Sequence, residues 1–195
     1  TTDYQAVLSL YKELEFNSLI KDVLEEMREK GLEGTADTSV KNLDPSPSET
    51  FLLEGLADLK DLLARVVGKQ ETALELIFGD GNYLTAEVLA LGLSWEDGVA
   101  ALDTSNISAA DLAQILEALF ADAPVYHDAK AVMAWGGKYN VRVVDPGGDT
   151  LIAGYLLNPS ASRHDLPELC LEHLDLPLVE GGDLLSTATR RAEAI

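Results

Sequence analysis

The amino-acid sequence predicts an α/β fold in which a mixed sheet is flanked by helices. Three observations carry this. From residue 51 onward, short β-rich runs are interspersed with stretches of helical periodicity. One run, EVLALGLSW over 87–95, is nearly all apolar, as a central strand buried on both faces would be. Three strands come in succession before helix and strand begin to alternate, an order that suits antiparallel and parallel pairing in one sheet.

The elements follow in order. Thr2 and Gln5 have capping-box spacing, and Val7, Leu8, Leu10, Tyr11 and Leu14 form a helical stripe behind them. Asn17 can cap a second helix whose face is Ile20, Val23, Leu24 and Met27. Arg28 and Lys30 fill its last turn, and Gly31 is the stop. Two such helices bury too little to stand alone. Residues 31–50 hold two Gly, two Pro and many Ser, Thr and Asp, so a mobile linker is expected over 33–50. Leu56 to Val67 reads as a helix, Ala73 to Phe78 as a strand with Glu75 on its outer face, and Gly79-Asp-Gly-Asn82 as a turn. After the apolar strand come a turn at Glu96-Asp97-Gly98 and a strand over Val99–Leu102. Ser108 then caps a helix, with Asp111 three residues on and Leu112, Ile115, Leu116 and Leu119 facing inward. Pro124–Tyr126 is a short strand, Ala129–Trp135 a helix begun by Asp128, and Val141–Val144 another strand. Gly147-Gly148 reads as a turn in which glycine supplies positive φ. Helices opened by Asp149 and Asp165, and a last one over Ser186–Ile195, complete the chain.

Composition narrows the function. The 195 residues can bury one good core with a helical appendage. No apolar run approaches the ~20 residues of a membrane span, and the N-terminus lacks the pattern of a signal peptide. Cys170 is the only cysteine, so no internal disulfide can form. It lies among Leu166, Leu169 and Leu174, and a buried structural thiol in a cytoplasmic protein is expected. The net charge of −20 comes from 14 basic and 34 acidic residues, which argues against strong autonomous binding to nucleic acid. Trp95 and Trp135 are isolated and are expected in the core rather than in a base-stacking platform.

One stretch points to a family. Residues 149–169 read DTLIAGYLLNPSASRHDLPEL: an Asp-Thr pair opens an apolar helix carrying Tyr155, Asn158-Pro159 ends it, and a Ser/Ala-rich turn leads to Arg163-His164-Asp165-Leu166. This series resembles the middle of the 3′–5′ proofreading exonuclease domain of bacterial DNA polymerase I, of family A, and the strand–helix order over 51–195 is similar to its ribonuclease-H-like fold. LYKELEFNSLIKDVL, over 10–24, resembles the closing helices of the 5′ nuclease domain of the same polymerases. The resemblance implies three units: residues 1–32 as a 5′ nuclease tail, 33–50 as the linker, and 51–195 as the exonuclease-like domain. It also implies that the chain is a piece of a longer polymerase, whose remaining domains are its partners and through which it meets DNA.

Active members of that family hold two divalent metals on four carboxylates, and hard ions demand oxygen ligands. Their first strand carries Asp-x-Glu at its end. Here the matching stretch, Leu74 to Asp80, offers only Glu75 and Asp80, five apart. Their second motif is a Lys-Tyr-Asp run, and matching Lys130 to its lysine puts Val132 where the carboxylate belongs. Their third, Tyr-x-x-x-Asp, should fall at Ser186 to Arg191, which reads STATRR. The resemblance is therefore to proofreading-dead members. No catalytic, cofactor-binding or metal-binding residue is assigned. No cofactor is expected in this piece, and Mg²⁺ is expected only for the parent polymerase.

Two alternatives stay open. One is a weak metal-dependent exonuclease on displaced acids, Asp80, Asp128 and Asp149, which must then converge at one end of the sheet. The other is an unrelated acidic interaction module, which would lack the strand order and expose an apolar patch. A metal phosphohydrolase built on His127-Asp128 and His164-Asp165 would have only His173 as a further histidine.

Overall fold

A computed structural model describes residues 3–13, 19, 23, 26–27, 49–80, 85–143, 145–174, 178 and 183–195. Six strands form one mixed sheet in the order β1-β4-β3-β2-β5-β6: β1 (Glu49–Leu53), β2 (Thr72–Phe78), β3 (Val88–Trp95), β4 (Gly98–Asp103), β5 (Val125–Tyr126) and β6 (Gly148–Asp149). The neighbours β2, β3 and β4 are antiparallel, while β1 on β4, β5 on β2 and β6 on β5 are parallel. The described helices are α1 (Tyr4–Glu13), α2 (Leu56–Val66), α3 (Ala109–Ala121), α4 (Ala129–Lys138), α5 (Thr150–Leu157), α6 (Leu166–Leu174) and α7 (Leu184–Ala194).

The pleat divides each strand between two environments. Leu74 and Leu76 of β2, Leu91 and Leu93 of β3 and Ala100 and Leu102 of β4 enter the main core. There they meet Leu59 and Leu62 of α2, Leu112, Leu116 and Phe120 of α3, and Val132 and Trp135 of α4. The two tryptophans pack as expected: Trp135 is fully buried, and Trp95 stacks on Phe51 with ring centroids 5.8 Å apart. The opposite face is covered by α7, which packs on β2, β3 and β4. Small residues permit this approach. Ala90, Ala101 and Ala188 are fully buried together, and a Cβ at Gly92 would lie 2.2 Å from the Ala188 carbonyl oxygen.

Several sequence expectations require correction. Val141–Val143 is not a strand. The Val141 N–H donates to the Gly136 carbonyl, closing α4, so these valines are apolar because they are buried and not because they pair; Val144 lies outside the described residues. The last strand is instead Gly148–Asp149. Neither Gly147 nor Gly148 has positive φ; Gly147 is needed because a Cβ would lie 2.0 Å from the Ala123 carbonyl oxygen. The Asp3 carboxylate accepts from the Ala6 N–H at the start of α1, while Thr2 and the Gln5 side chain of the expected capping box lie outside the described residues. Ser108 precedes α3 but makes no side-chain cap. Strand β1 begins at Glu49, inside the segment read as linker; among the described residues it pairs on one side only, with β4, and it is too short for its pattern to stand out. Residues 33–48 and most of the expected second helix lie outside the described residues. Leu19, Val23, Glu26 and Met27 are helical, Val23 and Met27 are buried, and the Tyr4 hydroxyl donates to Glu26. Among the described residues no helix is long and apolar enough to cross a membrane.

Candidate functional site

A cleft of about 800 Å³ opens where the end of β2, the start of α4, the turn before α6 and one side of α7 meet. Its floor comes from β2. Leu74 and Leu76 point to the main core, so the period of two turns Glu75 and Ile77 to the α7 face. Glu75 is thus not on an outer surface, as the sequence suggested. It is only 5% exposed, and its Oε1 accepts from Arg191 Nε at 2.6 Å. Ile77 packs against the cluster formed by Ala90, Ala101 and Ala188. On α7, Thr187 and Arg191 are four apart, hence on one helical face, and both line the cleft.

The opposite wall is organised by one carboxylate. Asp149 accepts from the N–H groups of Leu151 and Ile152, at the start of α5, and of Asp128 and Ala129, at the start of α4. A single side chain therefore satisfies orphan donors of two helices, and its negative charge suits both N-termini. Asp128 sits at φ 64° and caps α4 through the Ala131 N–H. Beside it, His127 Nδ1 lies 2.9 Å from Thr150 Oγ1. Burial, helped by the nearby Arg191 charge, holds the His127 pKa below its usual value. At the rim, Asp165 pairs with Arg163 at 2.8 Å and caps α6 through the Glu168 N–H, and His164 meets Tyr155 edge to face. The Cys170 thiol is buried, which pushes its pKa up, as an unreactive structural cysteine requires.

These groups fit a two-metal centre poorly. Glu75 is neutralised by a guanidinium, and Asp128 and Asp149 are engaged by backbone N–H groups. Ile77, Val132 and Thr187 bring no carboxylate to the cleft. Among the described residues no group of three or more His, Cys, Asp or Glu could hold a metal ion. Of the displaced acids, Asp128 and Asp149 meet, but Asp80 is exposed and does not line the cleft. The histidines do not assemble either: His127 and His164 line the cleft, and His173 does not. Sequence reasoning missed the Glu75–Arg191 pair. Its signal was the alternation Leu74, Glu75, Leu76, Ile77, which assigns a face but no partner.

Comparison with known proteins follows the same geometry. The family described as DNA polymerase I, ribonuclease H-like domain, matches residues 74–178, more than half of the chain. DNA polymerase I of Pseudomonas aeruginosa is 22% identical over 204 residues, covering 96% of this chain and 22% of that protein. The chain thus spans less than a quarter of the relative's length. Among solved structures, the POL domain of Pol1 from M. smegmatis, in complex with DNA primer-template and dNTP, superposes with a TM-score of 0.58 at 25% identity. That match covers 75% of this chain and 25% of the other. The catalytic core of RRP6 from Trypanosoma brucei gives 0.61 at 16% identity, over 75% and 44% of the two chains. The EXO domain of Nibbler from Aedes aegypti gives 0.55 at 14%, over 75% and 82%. The last two bear on the fold alone, which is the ribonuclease-H-like exonuclease fold. Because the family match spans more than half of the chain, the likeness is not accidental and the unrelated-module alternative falls. The chain belongs to the family of DNA polymerase I ribonuclease H-like domains.

Proposed function

We propose that this domain carries no nuclease chemistry and serves a DNA polymerase I as an architectural unit, spacing a 5′ nuclease from the polymerase and buttressing the latter. The observation that carries this reading is the donor set of the cleft. A two-metal exonuclease needs convergent carboxylates free to bind hard cations, whereas here Glu75, the one buried carboxylate among the described residues, is paired with Arg191. The partners are then the other domains of a parent chain, and template-directed DNA synthesis with Mg²⁺ belongs to that parent in the cytoplasm. Residues 1–32 and 33–50 remain the proposed tail and linker and 51–195 the proposed exonuclease-like unit, with that last boundary moved back to Glu49, where β1 joins the sheet. The net charge of −20 supports contact with DNA through the parent, with weak or no binding by this piece.

The test is a nuclease assay on 5′-labelled single-stranded DNA with Mg²⁺ and then Mn²⁺, beside an Asp80→Asn, Asp128→Asn, Asp149→Asn variant. No shortening of the DNA is expected. Metal-dependent shortening that the variant loses would overturn the reading in favour of an exonuclease on displaced acids.

A further inference from the structure

The disagreement between the cleft and a metal centre has a definite form. In an Asp-x-Glu pair on a strand, both carboxylates lie on one face. On β2 that face carries Glu75 and Ile77, so one acid is kept and the other position is apolar. In a Tyr-x-x-x-Asp pair on a helix, the two side chains share a face. On α7 the residues with that spacing, both lining the cleft, are Thr187 and Arg191. A guanidinium therefore stands opposite Glu75 where a carboxylate would otherwise be.

Two facing carboxylates at the junction of a strand and a helix repel unless a cation lies between them. A carboxylate facing a guanidinium needs none, because the pair is neutral and hydrogen-bonded. We propose that Arg191 is a built-in cation that takes over, in this chain, the charge-neutralising and joining task of a divalent metal between β2 and α7. The seating of α7 supports this. Gly92 lies against the Ala188 carbonyl, and the Ser94 hydroxyl donates to the Ala192 carbonyl at 2.8 Å, so the helix is held close on both sides of Arg191. The Arg191 side chain is 18% exposed and the Glu75 side chain 6%, so the pair sits where an unneutralised charge would be costly. The device makes docking of α7 independent of divalent ions and also repels them.

This inference rests on the reading of the cleft as metal-free, but its test reads metal response and stability rather than DNA cleavage, so the two can fail separately. Thermal unfolding of the wild-type chain, R191D and E75Q/R191D would be followed in EDTA and in about 10 mM Mn²⁺. The wild type should melt at the same temperature in both. R191D should melt lower in EDTA and recover by about 3 °C or more in Mn²⁺, and E75Q/R191D should lose that recovery. A Mn²⁺-dependent rise in the wild type, or no recovery in R191D, overturns the proposal. If R191D does not fold, E75Q, R191M and E75Q/R191M supply a double-mutant cycle. A double variant no less stable than the worse single is expected, and strictly additive losses overturn the pairing.

Discussion

The two faces of the sheet are built on opposite terms. The face covered by α2, α3 and α4 is filled by Leu74, Leu91, Leu93, Leu116, Phe120 and Trp135, large apolar groups whose interlocking leaves room for little but shape. The face covered by α7 is made of Ala90, Gly92, Ala101 and Ala188 around the Glu75–Arg191 pair. The first contributes stability through buried area. The second buries less apolar volume but brings backbone close to backbone, and that closeness delivers Thr187 and Arg191 to the cleft. Change can therefore accumulate in the cleft chemistry while the fold persists on the other face.

The sharpest break is Gly92→Val. Its Cβ would meet the Ala188 carbonyl at 2.2 Å, backbone that cannot swing away, and the loss should exceed about 4 kcal/mol in urea unfolding, with α7 amides losing hydrogen-exchange protection first. A loss under about 1 kcal/mol would mean that α7 is not seated there. On the other face, Leu74→Ala should cost about 3 kcal/mol and lower protection throughout the sheet rather than in α7 alone. Asp149→Ala should cost about 2 kcal/mol, seen as fraying at the starts of both α4 and α5; fraying of only one would refute the shared cap.

The smallest effect concerns His127. Burial lowers its folded pKa beneath the unfolded value of about 6.5. Between the two values the unfolded chain binds more protons, so the stabilising contribution is complete above about pH 6.5 and is lost as pH falls through the folded pKa. His127→Gln should flatten the slope of stability against pH in that window, and unchanged slopes would count against a half-buried ring whose pKa is held down by desolvation.

Periodicity made most elements legible. The run over 87–95 is β3 at Val88–Trp95, Leu56 to Val67 is α2, and Asp128, Asp149 and Asp165 do cap the helices they precede. The failures were of two kinds. Val141 to Val143 are apolar for burial beside Gly136, which a strand pattern mimics. Strand β1 pairs with β4 across 44 intervening residues, a partner that no local signal announces. The apolar character of α5 was visible too, but not its outcome: Ile152, Tyr155, Leu156 and Leu157 remain exposed, the patch expected of an interaction module, on a chain whose family match rules that module's accidental likeness out.

By itself the sequence determined the α/β class and the helix starts at Asp128, Asp149 and Asp165, because each depends on residue type at short spacing. Only the tertiary structure decided which side chains meet in the cleft. Glu75 and Arg191 lie 116 residues apart, and their meeting depends on which face of β2 is turned toward α7 and on how closely Gly92 and Ala188 allow that helix to approach. Side-chain periodicity assigns a face to a residue, whereas the partner across the gap is set by long-range packing.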